Sequence, residues 1–146
     1  MSSGWLEGVG HLFSHLVEEI SQSSQQKKEE LYRQKNKLAE LSEKVQESFT
    51  DYDTFYDLGR YEQALDSIDE AILLMPKLQN LLEEIGVEVR FQKQIGASYS
   101  ARAIVLYKLN RYEESIKALH KAFTLAPELE LETDDFLKIL KKRLNM

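Results

Sequence analysis

Apolar residues recur three and four apart through most of the chain, the period of an α-helix buried along one side. The first block sets Trp5, Leu6, Val9, Leu12, Phe13, Leu16, Val17 and Ile20 on a single stripe. Its opposite face carries Glu7, Gly8, His11, Ser14, His15, Glu18 and Glu19, without Lys or Arg. The pattern predicts an N-terminal amphipathic helix over residues 1–22 and a second, larger helical domain over 23–146. Trp5, Leu6, Val9, Leu12, Phe13 and Leu16 are the residues expected to dock this helix, either on the rest of the chain or on a second copy. Ser21 to Gln26 is polar and poor in helix formers, and reads as a hinge or cap.

From Lys27 the chain becomes charged and strongly helix-forming, with Leu31, Leu38, Val45 and Tyr52 seven apart and Leu41, Phe49 and Phe55 between them. Near-heptad spacing predicts one long helix to Leu58 with a narrow buried seam. A bundle helix is preferred here over a free-standing coiled coil. After Gly59, the periodic positions Tyr61, Ala64, Leu65, Ile68, Ala71, Ile72 and Met75 continue past Pro76 into Leu78, Leu82 and Ile85. Either the helix runs on through a kink at Pro76 and stops before Gly86, or it ends near Pro76 and a new helix begins. The first parse gives better-balanced helices and is preferred. Phe91, Ile95, Tyr99, Ala103, Leu106 and Leu109 then form a further stripe, with small Gly96, Ala97 and Ala101 allowing close packing. The last helix, over 133–145, carries Phe136, Leu137, Ile139, Leu140 and Leu144, and Thr133 or Asp134 is expected to cap it.

One pattern occurs twice. Leu58-Gly59-Arg60-Tyr61-Glu62-Gln63-Ala64-Leu65 lies over Leu109-Asn110-Arg111-Tyr112-Glu113-Glu114-Ser115-Ile116. Ala71 then meets Ala122, Leu74 meets Leu125, and Pro76 meets Pro127, all at an offset of 127 − 76 = 51 residues. A fixed offset marks an internal repeat. Gly59 and Asn110 suit the left-handed conformation that ends a helix, and small Ala71 and Ala122 let another helix approach. The turn residue, the aromatic two positions on, the small residues beyond it and the closing proline resemble the second helix of a tetratricopeptide repeat. The resemblance covers residues 45–76 and 96–127. It implies an all-α fold of antiparallel helical hairpins, with the segment 133–145 as a terminal cap over the exposed core edge. The family's usual period is about 34 residues, so both the offset of 51 and bulky Tyr52 at a position that the family keeps small are departures.

Composition narrows the chemistry. The chain has 146 residues, 42% hydrophobic and 30% charged, enough for one domain with a real core. There is no cysteine, which rules out disulfides and thiolate chemistry and fits a reducing compartment. The formal net charge is −6, and residues 51–100 hold ten Asp and Glu against four Lys and Arg. That balance argues against a phosphate-tracking surface, so no nucleic acid is expected. The basic run Lys138, Lys141, Lys142 and Arg143 follows Asp134 and Asp135, an order that matches a helix dipole. No apolar run approaches the ~18 residues of a membrane span, and the first residues lack the basic start of a signal peptide. The expected location is cytoplasmic.

His11, His15 and Glu18, one turn apart on one face, form the only grouping with metal-ligand spacing. Leu12 stands where a protease motif needs Glu, and a solvated polar face is the simpler reading. Gly8-Val9-Gly10 lacks the rest of a phosphate loop, and acid pairs such as Asp69/Glu70 read as solvated faces. No catalytic, metal or cofactor site is expected.

A binding surface remains. The resemblance places the inner face on the first helix of each unit, which nominates Phe49, Asp53, Tyr56 and Asp57 from one unit and Ser100, Ile104, Tyr107 and Lys108 from the other. Gln46, Phe49, Thr50 and Asp53 stand where chaperone-binding relatives keep a carboxylate clamp, so that clamp is missing. An aromatic, acidic groove suggests a peptide or helix with apolar anchors and some positive charge. Phe49 and Tyr56 could equally be core residues covered by the N-terminal helix. The leading reading is thus a non-catalytic adaptor that binds a protein partner. Two alternatives stand beside it: a subunit self-assembling through residues 5–20 and the 31–55 seam, and a relative of the small tetratricopeptide chaperones of bacterial secretion systems.

Overall fold

In the computed structural model, which describes residues 4–146 with side chains from Gly8 onward, helices follow one another with short connections and no strand intervenes among the described residues. The elements are α1 (Gly4–Gln22), α2 (Gln25–Asp57), α3 (Tyr61–Glu84), α4 (Gln92–Lys108), α5 (Tyr112–Leu125), the single turn α6 (Leu129–Glu132) and α7 (Asp134–Arg143). Each main helix packs on its neighbour in sequence: α1 on α2, α2 on α3, α3 on α4, α4 on α5, and α7 on α5. The hairpins α2–α3 and α4–α5 are the two units predicted from the repeat. A continuous core runs from Val9, Leu16 and Ile20 of α1 to Leu137 and Leu140 of α7.

The predicted seam is the buried side of α2: Leu31, Leu38, Val45 and Tyr52 face inward, with Ser48 and Phe49 beside them. In a single chain α1 and α3 already cover this stripe, so it is a bundle seam rather than an open coiled-coil face. Only Ser23 and Ser24 separate α1 from α2, and Ser24 is extended at φ −62°, ψ 160°. The hydroxyls of Ser21 and Ser23 donate back to the carbonyls of Glu18 and Glu19, so the serines end α1 rather than cap α2.

Four helices end in the same way. Gly59 (φ 73°), Gly86 (φ 87°), Asn110 (φ 60°) and Asn145 (φ 56°) are all left-handed. After Gly59 the N–H of Arg60 reaches back to the Phe55 carbonyl at 2.8 Å, and after Asn110 that of Arg111 reaches Leu106 at 2.9 Å. Val87 on Leu82 and Met146 on Lys141 repeat the bond, each at 2.9 Å. This six-to-one closure satisfies carbonyls that a helix end would otherwise orphan.

The equivalent prolines behave differently. Pro76 sits inside α3, whose helix continues to Glu84 as the preferred parse requires. An interior proline costs about 3 kcal/mol relative to alanine, but Leu78, Leu81 and Leu82 beyond it are buried, and each full burial returns roughly 1.5–3 kcal/mol. Pro127 follows the end of α5, with Ala126 extended at φ −143°, ψ 83°, the region that a following proline favours. Beyond it only Leu129 of α6 is buried, so little apolar surface rewards a longer helix.

The last helix begins at Asp134, and Thr133 occupies the capping position. Its hydroxyl donates back to Leu129 at 2.7 Å instead of accepting from α7, so the expected side-chain cap is not made. Thr133 is at φ −114°, ψ 12°, not in the extended conformation that aims a capping side chain at the helix N–H groups. Charge still matches the helix dipole, with Asp134 and Asp135 first and Lys141, Lys142 and Arg143 last.

Candidate functional site

Two aromatic pairs recur at the repeat offset. Tyr56 meets Tyr61 at 5.6 Å between ring centroids, and Tyr107 meets Tyr112 at 5.5 Å. In each case a residue near the end of the first helix leans across the turn onto the start of the second. Tyr61 and Tyr112 therefore sit in like surroundings, and α2 and α4 present corresponding faces.

Between those faces lies Tyr52, buried and tilted against Tyr56 at 5.9 Å. Its hydroxyl reaches the Ala101 carbonyl of α4 at a long 3.4 Å. The bulk that departs from the family pattern is thus spent in bridging the two units. Burial pushes the Tyr52 phenol well above its ordinary range, and the neighbouring Tyr56 and Asp53 push in the same direction.

The nominated inner-face residues divide by exposure. Asp53 and Asp57 are exposed on α2, and Ile104 and Lys108 are exposed on α4. Tyr56, Ser100 and Tyr107 are half-buried. Phe49 is only 6% exposed and belongs to the core, not to an open groove. The covering helix is not α1 at the positions whose side chains are described. Phe13 lies beside Lys35, and in an antiparallel pair rising about 1.5 Å per residue Val9 falls well short of Phe49 along α2. The side chains of Trp5 and Leu6 lie outside the described residues. Of the other docking positions, Val9 and Leu16 are buried, and Leu12 and Phe13 are half-buried against α2.

Helix α7 closes the far side. Phe136 meets Tyr107 edge-on at 5.5 Å, and the Arg143 guanidinium stands 5.7 Å from the Tyr112 ring. The capping segment thereby covers an edge of Tyr107, a contact that helical periodicity alone could not specify. The Ser100 hydroxyl is shielded from solvent and has no protein hydrogen-bond partner. On the turn between α4 and α5, Arg111 donates twice to Glu114, at 2.9 and 2.6 Å. That pairing raises the arginine and holds the Glu114 carboxyl below its usual range.

Among the described residues no cluster of three or more His, Asp or Glu is arranged to hold a metal ion. His15 instead sits 3.3 Å from Glu19. No described helix is long and apolar enough to cross a membrane.

Stacked helical hairpins with left-handed turns and a terminal capping helix define a helical-repeat scaffold. Residues 96–129 match the tetratricopeptide repeat, a span equal to the usual repeat length of about 34 residues. The match falls on α4–α5, and the packed helical hairpins of the remainder are consistent with a tetratricopeptide-like fold. No curated protein and no solved structure shows significant similarity to it. Such a repeat suggests a protein-interaction role, and families built from it are typically non-catalytic interaction modules.

Proposed function

We propose that this protein is a non-catalytic adaptor that holds a peptide or helix of a partner along the face shared by α2 and α4. The observation that carries this reading is the reach of the Tyr52 hydroxyl of α2 to the Ala101 carbonyl of α4, which brings the two corresponding first helices together. On that face Tyr56, Ile104 and Tyr107 offer apolar contact, while Asp53 and Asp57 supply negative charge. A partner segment with apolar anchors and Lys or Arg beside them is the complement. Phe49 is not assigned a contact, because it supports the face from beneath.

Selection of displayed random peptides against the full chain tests the reading. The expected winners pair large apolar residues with Lys or Arg. Ile104→Asp, or Asp53→Lys with Asp57→Lys, weakens them about tenfold or more, which is about 1.4 kcal/mol. Peptides unaffected by either change would overturn the assignment of this face.

A further inference from the structure

On α4, Tyr99 and Arg102 point roughly opposite to Ser100, Ile104 and Lys108, as their angular positions at 3.6 residues per turn require. There α3 and α4 enclose a second groove, of about 640 Å³. Its apolar wall includes Leu73, which is 61% exposed, together with Pro76 and Tyr99. Two cations edge it, Lys77 and Arg102, in a chain whose net charge is −6. Arg102 is held in place by its Nε, which donates to Asp69 at 2.7 Å.

The chain also carries the converse shape. Leu131 of α6 is 87% exposed and stands between exposed Glu130 and Glu132. One leucine at the surface means nothing by itself. Here, however, it is an apolar knob flanked by carboxylates, and the groove is an apolar hollow edged by Lys77 and Arg102, with the Asp69 carboxylate on its lining bound to Arg102. The two features are also neighbours. Tyr99 lines the groove and packs against the small cluster of Ala122, Ala126 and Leu129 from which α6 projects. Knob and hollow on one face can satisfy each other in two copies at once, the condition for a closed two-fold pair rather than an open chain of molecules.

We infer that the outer face pairs with a second copy of this chain, Leu131 of each entering the α3–α4 groove of the other. Glu130 and Glu132 meet Lys77 and Arg102, and the inner face stays open. The inference does not depend on the adaptor reading, since it uses none of the same residues.

Sedimentation equilibrium on the full chain, from about 1 μM to about 1 mM, tests it. The expected result is a reversible monomer–dimer equilibrium that weakens severalfold when salt screens the exposed charges. Leu131→Glu and Leu73→Glu each weaken it tenfold or more. Both sites are exposed, so helical circular dichroism and the unfolding midpoint stay close to those of the parent and exclude misfolding as the cause. An equimolar mixture of the two variants recovers part of the association, because each supplies the surface that the other lacks. A monomer across the whole range would overturn the pairing. So would a dimer indifferent to either substitution, or a ladder of larger species.

Discussion

The α2–α3 and α4–α5 hairpins begin from one sequence pattern and solve the same packing problem with opposite choices of size. In the second unit the helices are drawn close. Gly96 is buried, and a Cβ there would lie 2.9 Å from the Ala126 Cβ and 3.2 Å from the Ala122 carbonyl. Nearby, the hydroxyl of Ser115 donates to the Ala103 carbonyl at 2.6 Å across the same pair. In the first unit the corresponding residues, 51 positions earlier, are Val45 for Gly96, Met75 for Ala126 and Tyr52 for Ala103. All three are buried. Buried Val45 and Met75 put bulk within this hairpin where the second unit is small, Tyr52 reaches on to α4, and the contact between α2 and α3 continues past Pro76. The residues matching the family lie in the close-packed unit, whereas the lengthened unit reaches a buried core with different side chains. Small residues are thus one answer to the packing problem, not a requirement for the hairpin.

The largest test of that contrast removes what keeps the long unit long. Leu82 is fully buried beyond Pro76, and Leu82→Ala should cost about 3–4 kcal/mol, read as a fall in urea-unfolding free energy. Next, Gly96→Val imports the first unit's choice into the second. With a backbone carbonyl and a Cβ in the way it should cost about 2–3 kcal/mol. If it is tolerated without loss, α4 and α5 are not as closely committed as their contacts imply.

A smaller effect separates the two prolines. Pro76→Ala restores a donor inside a helix that already continues, and should raise stability by about 1–2 kcal/mol, short of the full host–guest difference because the site has adapted to proline. Pro127→Ala should give no comparable gain, since Ala126 before it is extended. Thermal unfolding of both variants side by side measures the difference.

The smallest effect is Tyr52→Phe. At neutral pH the lost contact is long, and the change should stay within about 0.5 kcal/mol. Alkali tells more. The folded phenol titrates above its ordinary value, so an unfolded chain gives up the proton first. The stabilisation from neutral Tyr52 is intact below about pH 10, the unfolded phenol's range, and falls as pH rises beyond it. The phenylalanine variant should lose less stability than the parent between neutral and strongly alkaline pH.

Much of this scaffold was readable from spacing. The left-handed turns at Gly59 and Asn110 followed from residues that tolerate that conformation, and the run to Glu84 from apolar residues that kept their period past Pro76. What spacing could not supply was the identity of the neighbour. Periodicity puts Phe49 on a face of α2, but α2 has partners on more than one side, so burial and groove lining shared one signature. Phe136 over Tyr107 joins segments far apart in the chain, and no local pattern encodes such a meeting. Thr133 misled for a related reason. Its sequence is that of a cap, yet its backbone at φ −114°, ψ 12° is not extended and its hydroxyl turns back to donate to Leu129.

Because each main helix leans chiefly on its sequence neighbour, the molecule has a gradient of protection rather than one uniform interior. Amide hydrogens of α1, which packs against α2 at the end of the series, should exchange with deuterium soonest. Those of α3 and α4, flanked on both sides, should exchange last. Fraying at the amino end can therefore come and go while the middle hairpins stay shut.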